Sequence, residues 1–135
     1  MIATDCSPEA IRQAIRNVPD FPKPGIQFKD ITPVLADANL FSGAIDLLTA
    51  GVTPGKVDAV VGIDARGFIF AAAAAVKLGA GFVPVRKKGK LPYTTHEQDY
   101  ALEYGTATVA MHTDALHPGS KVLLVDDLLA TGGTA

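Results

Sequence analysis

Asp126 and Asp127 stand side by side at the end of an apolar run, Val122 to Val125, and a stretch of small residues, Ala130-Thr131-Gly132-Gly133-Thr134, follows closely. Two carboxylates act as acceptors for the vicinal hydroxyls of a ribose, and they can also support a bound divalent cation. Behind them the small residues let backbone N–H groups converge on an anion, with the hydroxyls of Thr131 and Thr134 to assist. A diol-binding acid pair beside a phosphate cradle suggests a sugar phosphate. An isolated pair of aspartates is more often a solvated loop, and the cradle behind this one is what shifts the reading. The loop is not a Walker A motif, because no lysine follows its glycines. Gly51 to Lys56 is one residue short of that motif and lacks its final hydroxyl, so it reads as a turn.

A second group is basic. Arg86, Lys87, Lys88 and Lys90 place four of the chain's 12 basic residues within five positions. Directly after a strand, such a cluster suits a polyanion such as pyrophosphate, although a solvated loop has the same composition. Asp64-Ala65-Arg66-Gly67 follows another apolar run and opens a helix, so its N–H groups and Arg66 can hold the same anion. Glu103, beside Tyr104, lies where a closing loop can carry it to a substrate; a surface acid on a hairpin is the commoner origin of such a residue. His96, His112 and His117 show no ligand spacing. Cys6 is the only cysteine, so neither an intrachain disulfide nor a cysteine-based zinc site can form.

The elements that must position these groups follow from pattern. Ser7-Pro8-Glu9 reads as a helix start, with Ala10, Ile11, Ala14, Ile15 and Val18 on one face. Pro19, Pro22, Pro24 and Gly25 then exclude helix, and Phe21, Ile26 and Phe28 anchor a loop. A second helix is expected over roughly Leu40 to Ala50, with Leu40, Ala44, Leu47 and Leu48 inward. Ala59 to Ile63 reads as a buried strand, Gly67 to Leu78 as a helix ended by Gly79 and Gly81, and Phe82 to Arg86 as a strand. Pro84 argues for an edge or bulge there. Lys87 to Tyr100 shows no periodicity and is expected to be a long mobile loop. Thr106 to His112 reads as a hairpin partner and His117-Pro118-Gly119 as a turn. A last strand, Lys121 to Asp127, is expected to have its apolar core covered on both faces. Strands alternating with helices imply an α/β sheet with its ligand at the carboxyl ends of the strands. No internal repeat or second domain shows, so residues 1–135 read as one domain.

A length of 135 residues, 48% apolar and 19% charged, supports one hydrophobic core. The net charge of −2 offers no general attraction to nucleic acid or to anionic membrane, so any anion site must be local. No segment approaches the length of a membrane span, and the expectation is a soluble cytoplasmic protein.

Taken together these residues resemble a known family. Val122 to Thr134 is similar to the phosphoribosyl-pyrophosphate motif of the type I phosphoribosyltransferases. Three further segments, Phe21 to Asp30, Gly62 to Phe68, and Arg86 to Pro92 leading to Leu102-Glu103-Tyr104-Gly105, narrow the likeness to the branch that uses adenine. The resemblance is collinear over nearly the whole chain. It implies a Rossmann-like, mainly parallel sheet flanked by helices. It also implies transfer of a 5-phosphoribosyl group from phosphoribosyl pyrophosphate to N9 of adenine, giving AMP and pyrophosphate.

By the same likeness, Ala130, Thr131, Gly132, Gly133 and Thr134 would hold the 5-phosphate, and Asp126 and Asp127 the ribose hydroxyls. Asp64, Ala65, Arg66, Arg86 and Lys90 would face pyrophosphate, and the family often has a cis peptide at the position of Asp64-Ala65. Ile26, Gln27, Phe28 and Lys29 would form the adenine pocket, with backbone groups of Gln27 and Lys29 reading the base edge and Phe28 packing on it. Glu103, with Tyr104 beside it at the substrate, matches the acid that assists adenine at N7. Catalysis would thus fall to Glu103, Arg66 and Lys90. Mg²⁺ would enter with phosphoribosyl pyrophosphate, with no direct protein ligand expected. Closure of the segment from Lys87 to Tyr100 would exclude water, which competes with adenine for the reactive carbon.

A homodimer, a cytoplasmic location and no nucleic-acid partner are further expectations. Family members continue past the Gly-rich loop with a helix, at least one more core strand and a closing segment. The 135-residue chain is accordingly expected to be a C-terminally incomplete fragment, weakly active or inactive. Two alternatives stand beside this reading. One is transfer to hypoxanthine, guanine or xanthine, against which the F-P-x-P-G-I-x-F segment argues. The other is a non-catalytic sensor of phosphoribosyl pyrophosphate that binds nucleic acid, against which the absence of a basic surface argues.

Overall fold

Ser7, Pro8 and Glu9 begin the first helix as their chemistry dictates. In the computed structural model, which describes residues 6–102 and 105–128, the Ser7 hydroxyl accepts from the Ala10 N–H at 3.2 Å, and α1 runs Pro8–Ala14. The chain forms two compact units, residues 1–50 and 51–135.

The first unit holds α1, β1 (Arg16–Pro19), β2 (Gln27–Asp30), α2 (Thr32–Ala36) and α3 (Ala38–Thr49). Ile15 turns extended and ends α1, so Val18 sits on β1, not on the helix face expected for it. β1 pairs antiparallel with β2, Val18 opposite Phe28 and Pro19 opposite Gln27. Their short, mostly exposed pattern and the prolines around it conceal this ribbon from periodicity. The connection is closed by Asp20, whose carboxylate accepts from the Gly25 N–H at 2.8 Å, with Gly25 at φ +88°. Asp37 caps α3, accepting from the N–H groups of Asn39 and Leu40 at 3.0 Å each. α3 buries Leu40, Gly43, Ile45 and Thr49, while Leu47 and Leu48, expected inward, are exposed. Ala44 to Leu48 is apolar at every position but one, so spacing alone does not choose the inward side.

The second unit holds β3 (Ala59–Ile63), α4 (Arg66–Leu78), β4 (Gly81–Lys87), β5 (Thr95–Ala101), β6 (Thr106–His112) and β7 (Val122–Val125). Its five-stranded sheet has the order β5-β6-β4-β3-β7. β3 runs parallel to both β4 and β7, while β4 with β6 and β5 with β6 are antiparallel. The α/β class holds, but the sheet is mixed, not mainly parallel. All five residues of β3 are buried, as its continuous apolar run implies. Alternation sends Val60 and Gly62 toward α4, and Ala59 and Val61 into a cluster with Val83, Val85, Met111, Ala115 and Leu116.

Four expectations are corrected in this unit. β5 occupies half of the expected loop: its sequence, T-H-E-Q-D-Y-A, carries no apolar alternation because it is the outermost strand and both its faces are largely wet. Pro84 lies in an internal strand, yet β6 pairs only with Arg86 and Lys87, so beside Pro84 there is no second ladder for it to interrupt. Among the described residues β7 pairs with β3 alone, and Val122 and Leu124 are each 44% exposed instead of covered. Gly79 closes α4 at φ +67°, whereas Gly81 already belongs to β4.

Candidate functional site

The parallel register of β7, β3 and β4 sets three strand ends side by side. Gly62 is abreast of both Pro84 and Val125, and Ile63 is abreast of Val85. The next residues out are therefore Asp64, Arg86 and Asp126, at the carboxyl edge where α/β proteins hold their ligands. The amino end of β7 is pinned by Asp58, whose carboxylate accepts from the Lys121 N–H at 2.8 Å while its own N–H donates to the Lys121 carbonyl at 2.7 Å. Nothing in the sequence marks that clasp.

Two arginines each meet a carboxylate at this edge. Arg86 Nε donates to Asp64 Oδ2 at 2.8 Å, and its Nη1 donates to the Lys90 carbonyl at 3.1 Å, so one guanidinium ties the end of β3 to the turn after β4. That turn is held by the Lys90 N–H on the Lys87 carbonyl at 3.1 Å, with Gly89 at φ +89°. Arg66 Nε lies 2.8 Å from Asp127 Oδ2, and the Asp127 side chain is only 10% exposed. β7 stops at Val125, ahead of both acids, which meets the condition for the two carboxylates to turn to one side.

Asp126 Oδ1 accepts from the Asp127 N–H at 2.8 Å. Burial is the main influence on Asp126 and raises its pKa. The N–H bond from Asp127 opposes that rise, the Asp127 carboxylate adds to it, and Arg66 opposes it. The peptide between Asp64 and Ala65 is cis, as is that between Phe21 and Pro22. α4 begins with Ala65 at its N-cap, which has no side-chain cap, and with no acid in its first turn.

Sequence reasoning named Asp64, Ala65, Arg66, Arg86, Lys90, Asp126 and Asp127, which the structure brings together at one edge, all within the second unit. It missed Gly67, against which Asp126 packs with no room for a side chain. Ile26, Gln27, Phe28 and Lys29 lie together in the first unit. Phe28 is half-buried with Phe21 edge-on to it, ring centroids 5.1 Å apart, and Gln27 accepts from Asn17 Nδ2 at 2.8 Å through its side chain. Glu103, Tyr104 and Ala130, Thr131, Gly132, Gly133 and Thr134 lie outside the described residues.

The hairpin β5–β6 adjoins the basic turn. Lys88 Nζ lies 3.5 Å from Glu97 Oε2, and the Tyr93 N–H donates to His112 Nε2 at 3.4 Å. Among the described residues no group of three or more His, Cys, Asp or Glu gathers as a metal site, and no helix is long and apolar enough to cross a membrane.

Comparison with known proteins agrees with this fold. A model of the phosphoribosyl transferase domain matches residues 29–135. An adenine phosphoribosyltransferase of Acidothermus cellulolyticus is 61% identical over 127 residues, 94% of this chain and 72% of that protein. The crystal structure of an adenine phosphoribosyltransferase from Rhodothermus marinus superposes with a TM-score of 0.88 at 58% identity, covering 93% of this chain and 72% of that one. The corresponding structure from Saccharomyces cerevisiae, complexed with an imino-altritol bisphosphate and adenine, gives a TM-score of 0.84 at 40% identity over 93% of this chain and 73% of that one.

Proposed function

This chain belongs to the phosphoribosyltransferase family, in the branch that uses adenine, and from that premise we propose how its residues share the work. The reaction is transfer of the 5-phosphoribosyl group from phosphoribosyl pyrophosphate to adenine, giving AMP and pyrophosphate. The ribose C1–O bond breaks with its electron pair leaving on pyrophosphate, the C1–N9 bond forms from adenine, and the N9 proton is released to water. Departure of pyrophosphate leaves an oxocarbenium-like ribose. Catalysis therefore depends on neutralising the leaving group and on fixed geometry more than on a strong nucleophile.

The observation that carries the assignment is the convergence of Asp64, Arg66, Arg86, Lys90, Asp126 and Asp127 at one sheet edge. Arg86, Lys90 and Arg66 receive pyrophosphate, with the uncapped start of α4 supplying N–H groups beside Ala65. Asp126 and Asp127 accept from the ribose hydroxyls, and Ala130 to Thr134 hold the 5-phosphate. Ile26 to Lys29 take adenine, with Phe28 against the ring and backbone groups of Gln27 and Lys29 on its edge. Glu103, next to Tyr104, assists at N7.

Mg²⁺ fits as an ion that arrives with the substrate. Asp127 is engaged by Arg66 and Asp126 by a backbone N–H, and among the described residues the edge builds no dedicated cage. Mg²⁺ typically keeps waters and substrate phosphate oxygens as ligands, and it would supply charge neutralisation on the pyrophosphate. The β5–β6 hairpin, with the turn before it, is the segment we assign to excluding water. A single domain over residues 1–135, a cytoplasmic location and a homodimer complete the proposal.

Turnover with phosphoribosyl pyrophosphate and either adenine or hypoxanthine tests the base assignment, which a preference for hypoxanthine would overturn. Glu103→Ala is expected to lower kcat by ~10²–10⁴-fold, as loss of a general acid does. Unchanged kcat in that variant would remove Glu103 from the mechanism.

A further inference from the structure

Where Asp126 meets the first turn of α4 there is no space for a side chain. A Cβ at Gly67 would lie 2.7 Å from Asp126 Oδ1, 3.3 Å from the Asp126 Cα and 3.3 Å from the Val125 carbonyl oxygen. None of these atoms is the far end of a long flexible chain. Oδ1 is also fixed by its 2.8 Å bond from the Asp127 N–H, so it cannot swing aside without breaking that bond.

Glycine is not required here for its backbone freedom. Gly67 lies inside α4 and is absent from the glycines at positive φ, which include Gly79 and Gly89. Alanine is the stronger helix former and would favour α4 at this position. What remains to account for glycine is the contact with Asp126. The preceding residue, Arg66, holds the following acid, Asp127, at 2.8 Å. Consecutive residues of α4 thus set consecutive carboxylates of the β7 end, one through an ion pair and the other through a vacant volume.

We propose that Gly67 is a positioning residue of the phosphoribosyl site: its missing side chain is the seat that lets the Asp126 carboxylate turn to the ribose hydroxyls. This rests on the assignment of Asp126 given above. Gly67 touches no substrate itself and acts only through Asp126. Filling the seat displaces Oδ1 by about 1 Å, the scale at which misplaced groups cost on the order of 10²-fold in rate.

The test is a double-mutant cycle of Gly67→Ala and Asp126→Ala in the whole protein, reading kcat, the KM for each substrate and the thermal midpoint. Gly67→Ala is expected to raise the KM for phosphoribosyl pyrophosphate or lower kcat by ~10–100-fold, with the KM for adenine changed by less than about twofold. Once Asp126 is replaced by alanine, Oδ1 is gone and the 3.3 Å contacts need yield only slightly. Adding Gly67→Ala to that background should then cost much less than it does in the wild type, in both activity and thermal midpoint, because residues that act as a unit are not additive.

Additive penalties, or a Gly67→Ala variant with wild-type kinetics, would overturn the inference while leaving the role of Asp126 intact. Should Gly67→Ala alone fail to fold, recovery of folding in the double variant supports the seat, and its failure there overturns it. If Asp126→Ala leaves the KM for phosphoribosyl pyrophosphate and kcat unchanged, the ribose assignment itself falls and the inference falls with it.

Discussion

Gly62→Ala loads the junction between β3 and α4, and its consequences can be worked out from two distances. The added Cβ would lie 2.6 Å from the Ala71 Cβ and 2.8 Å from Phe82 Cε1. Carbon atoms pack at about 3.5–4.0 Å, so relief requires roughly 1 Å of separation between helix and sheet. Ala71 is completely buried and its Cβ has no rotamer to change, and Phe82 is held edge-on to Phe68 with ring centroids 5.4 Å apart. Overpacking of this kind costs about 1–3 kcal/mol. Replacing glycine within a strand returns about 0.5–1 kcal/mol through lower unfolded-state entropy.

The net loss is then about 0–2.5 kcal/mol, a fall in Tm of up to roughly 10 °C for a chain of this size. Since α4 begins with Arg66, moving the helix stretches the 2.8 Å bond to Asp127 as well. kcat/KM should therefore drop by ~10–100-fold, a larger effect than the stability change alone produces. Thermal unfolding and steady-state kinetics read the two effects separately. A variant as stable as the wild type with unchanged kcat/KM would show that α4 is free to move off β3 and that its position does not govern the site.

Arg86→Lys keeps the charge but loses the fork that reaches both Asp64 and the Lys90 carbonyl. The pair is partly exposed and contributes at most about 1 kcal/mol, so Tm should hardly move. The KM for phosphoribosyl pyrophosphate should nevertheless rise, and equal KM values in titrations of the two proteins would count against pyrophosphate at this edge. Asp126→Asn addresses pH. Burial raises the Asp126 pKa above its unfolded value, so its stabilising contribution is full at pH below the unfolded value and is lost as pH rises through the folded one. Asparagine carries no such dependence. Tm of the variant minus Tm of the wild type should then be more positive at about pH 7 than at about pH 4, and the opposite trend in paired melts would contradict the sign.

The chemistry was legible in the sequence wherever a continuous apolar run preceded charged residues. β3 and the acids after β7 were found that way: β3 is buried throughout and needs no alternation to be seen, and the end of the apolar run in β7 announces a loop although two of its residues are exposed. Local steric codes located the start of α1 at Ser7 and the end of α4 at Gly79. What the sequence concealed was tertiary. β5 is polar on both faces and is held by its ladder with β6, so no period of its residues marks it. Pro84 reads as an edge signal, and only the short span of the β4–β6 ladder reconciles it with an internal strand. Gly67 looks like any glycine near a helix start until Asp126, far away in sequence, is brought against it.

The arrangement at the sheet edge also bears on how the site meets its ligand. Asp64, Arg86 and Asp126 are far apart in the chain and become neighbours only because β4 and β7 flank β3 in parallel. Each of these two arginines is held by an aspartate, Arg86 by Asp64 and Arg66 by Asp127, both at 2.8 Å. Holding a guanidinium in place lowers the entropy lost when an anion binds, which favours geometry-dependent catalysis. It also means that an incoming anion must compete with a carboxylate for each arginine. A singly charged anion replaces one such partner with its electrical equal and gains little. A multiply charged pyrophosphate outweighs each carboxylate and, by drawing Arg66 from Asp127, would release that acid to accept from a hydroxyl. On the proposed assignment, engagement of the leaving group and readiness of the ribose acceptors are thus coupled through one ion pair, that of Arg66 with Asp127.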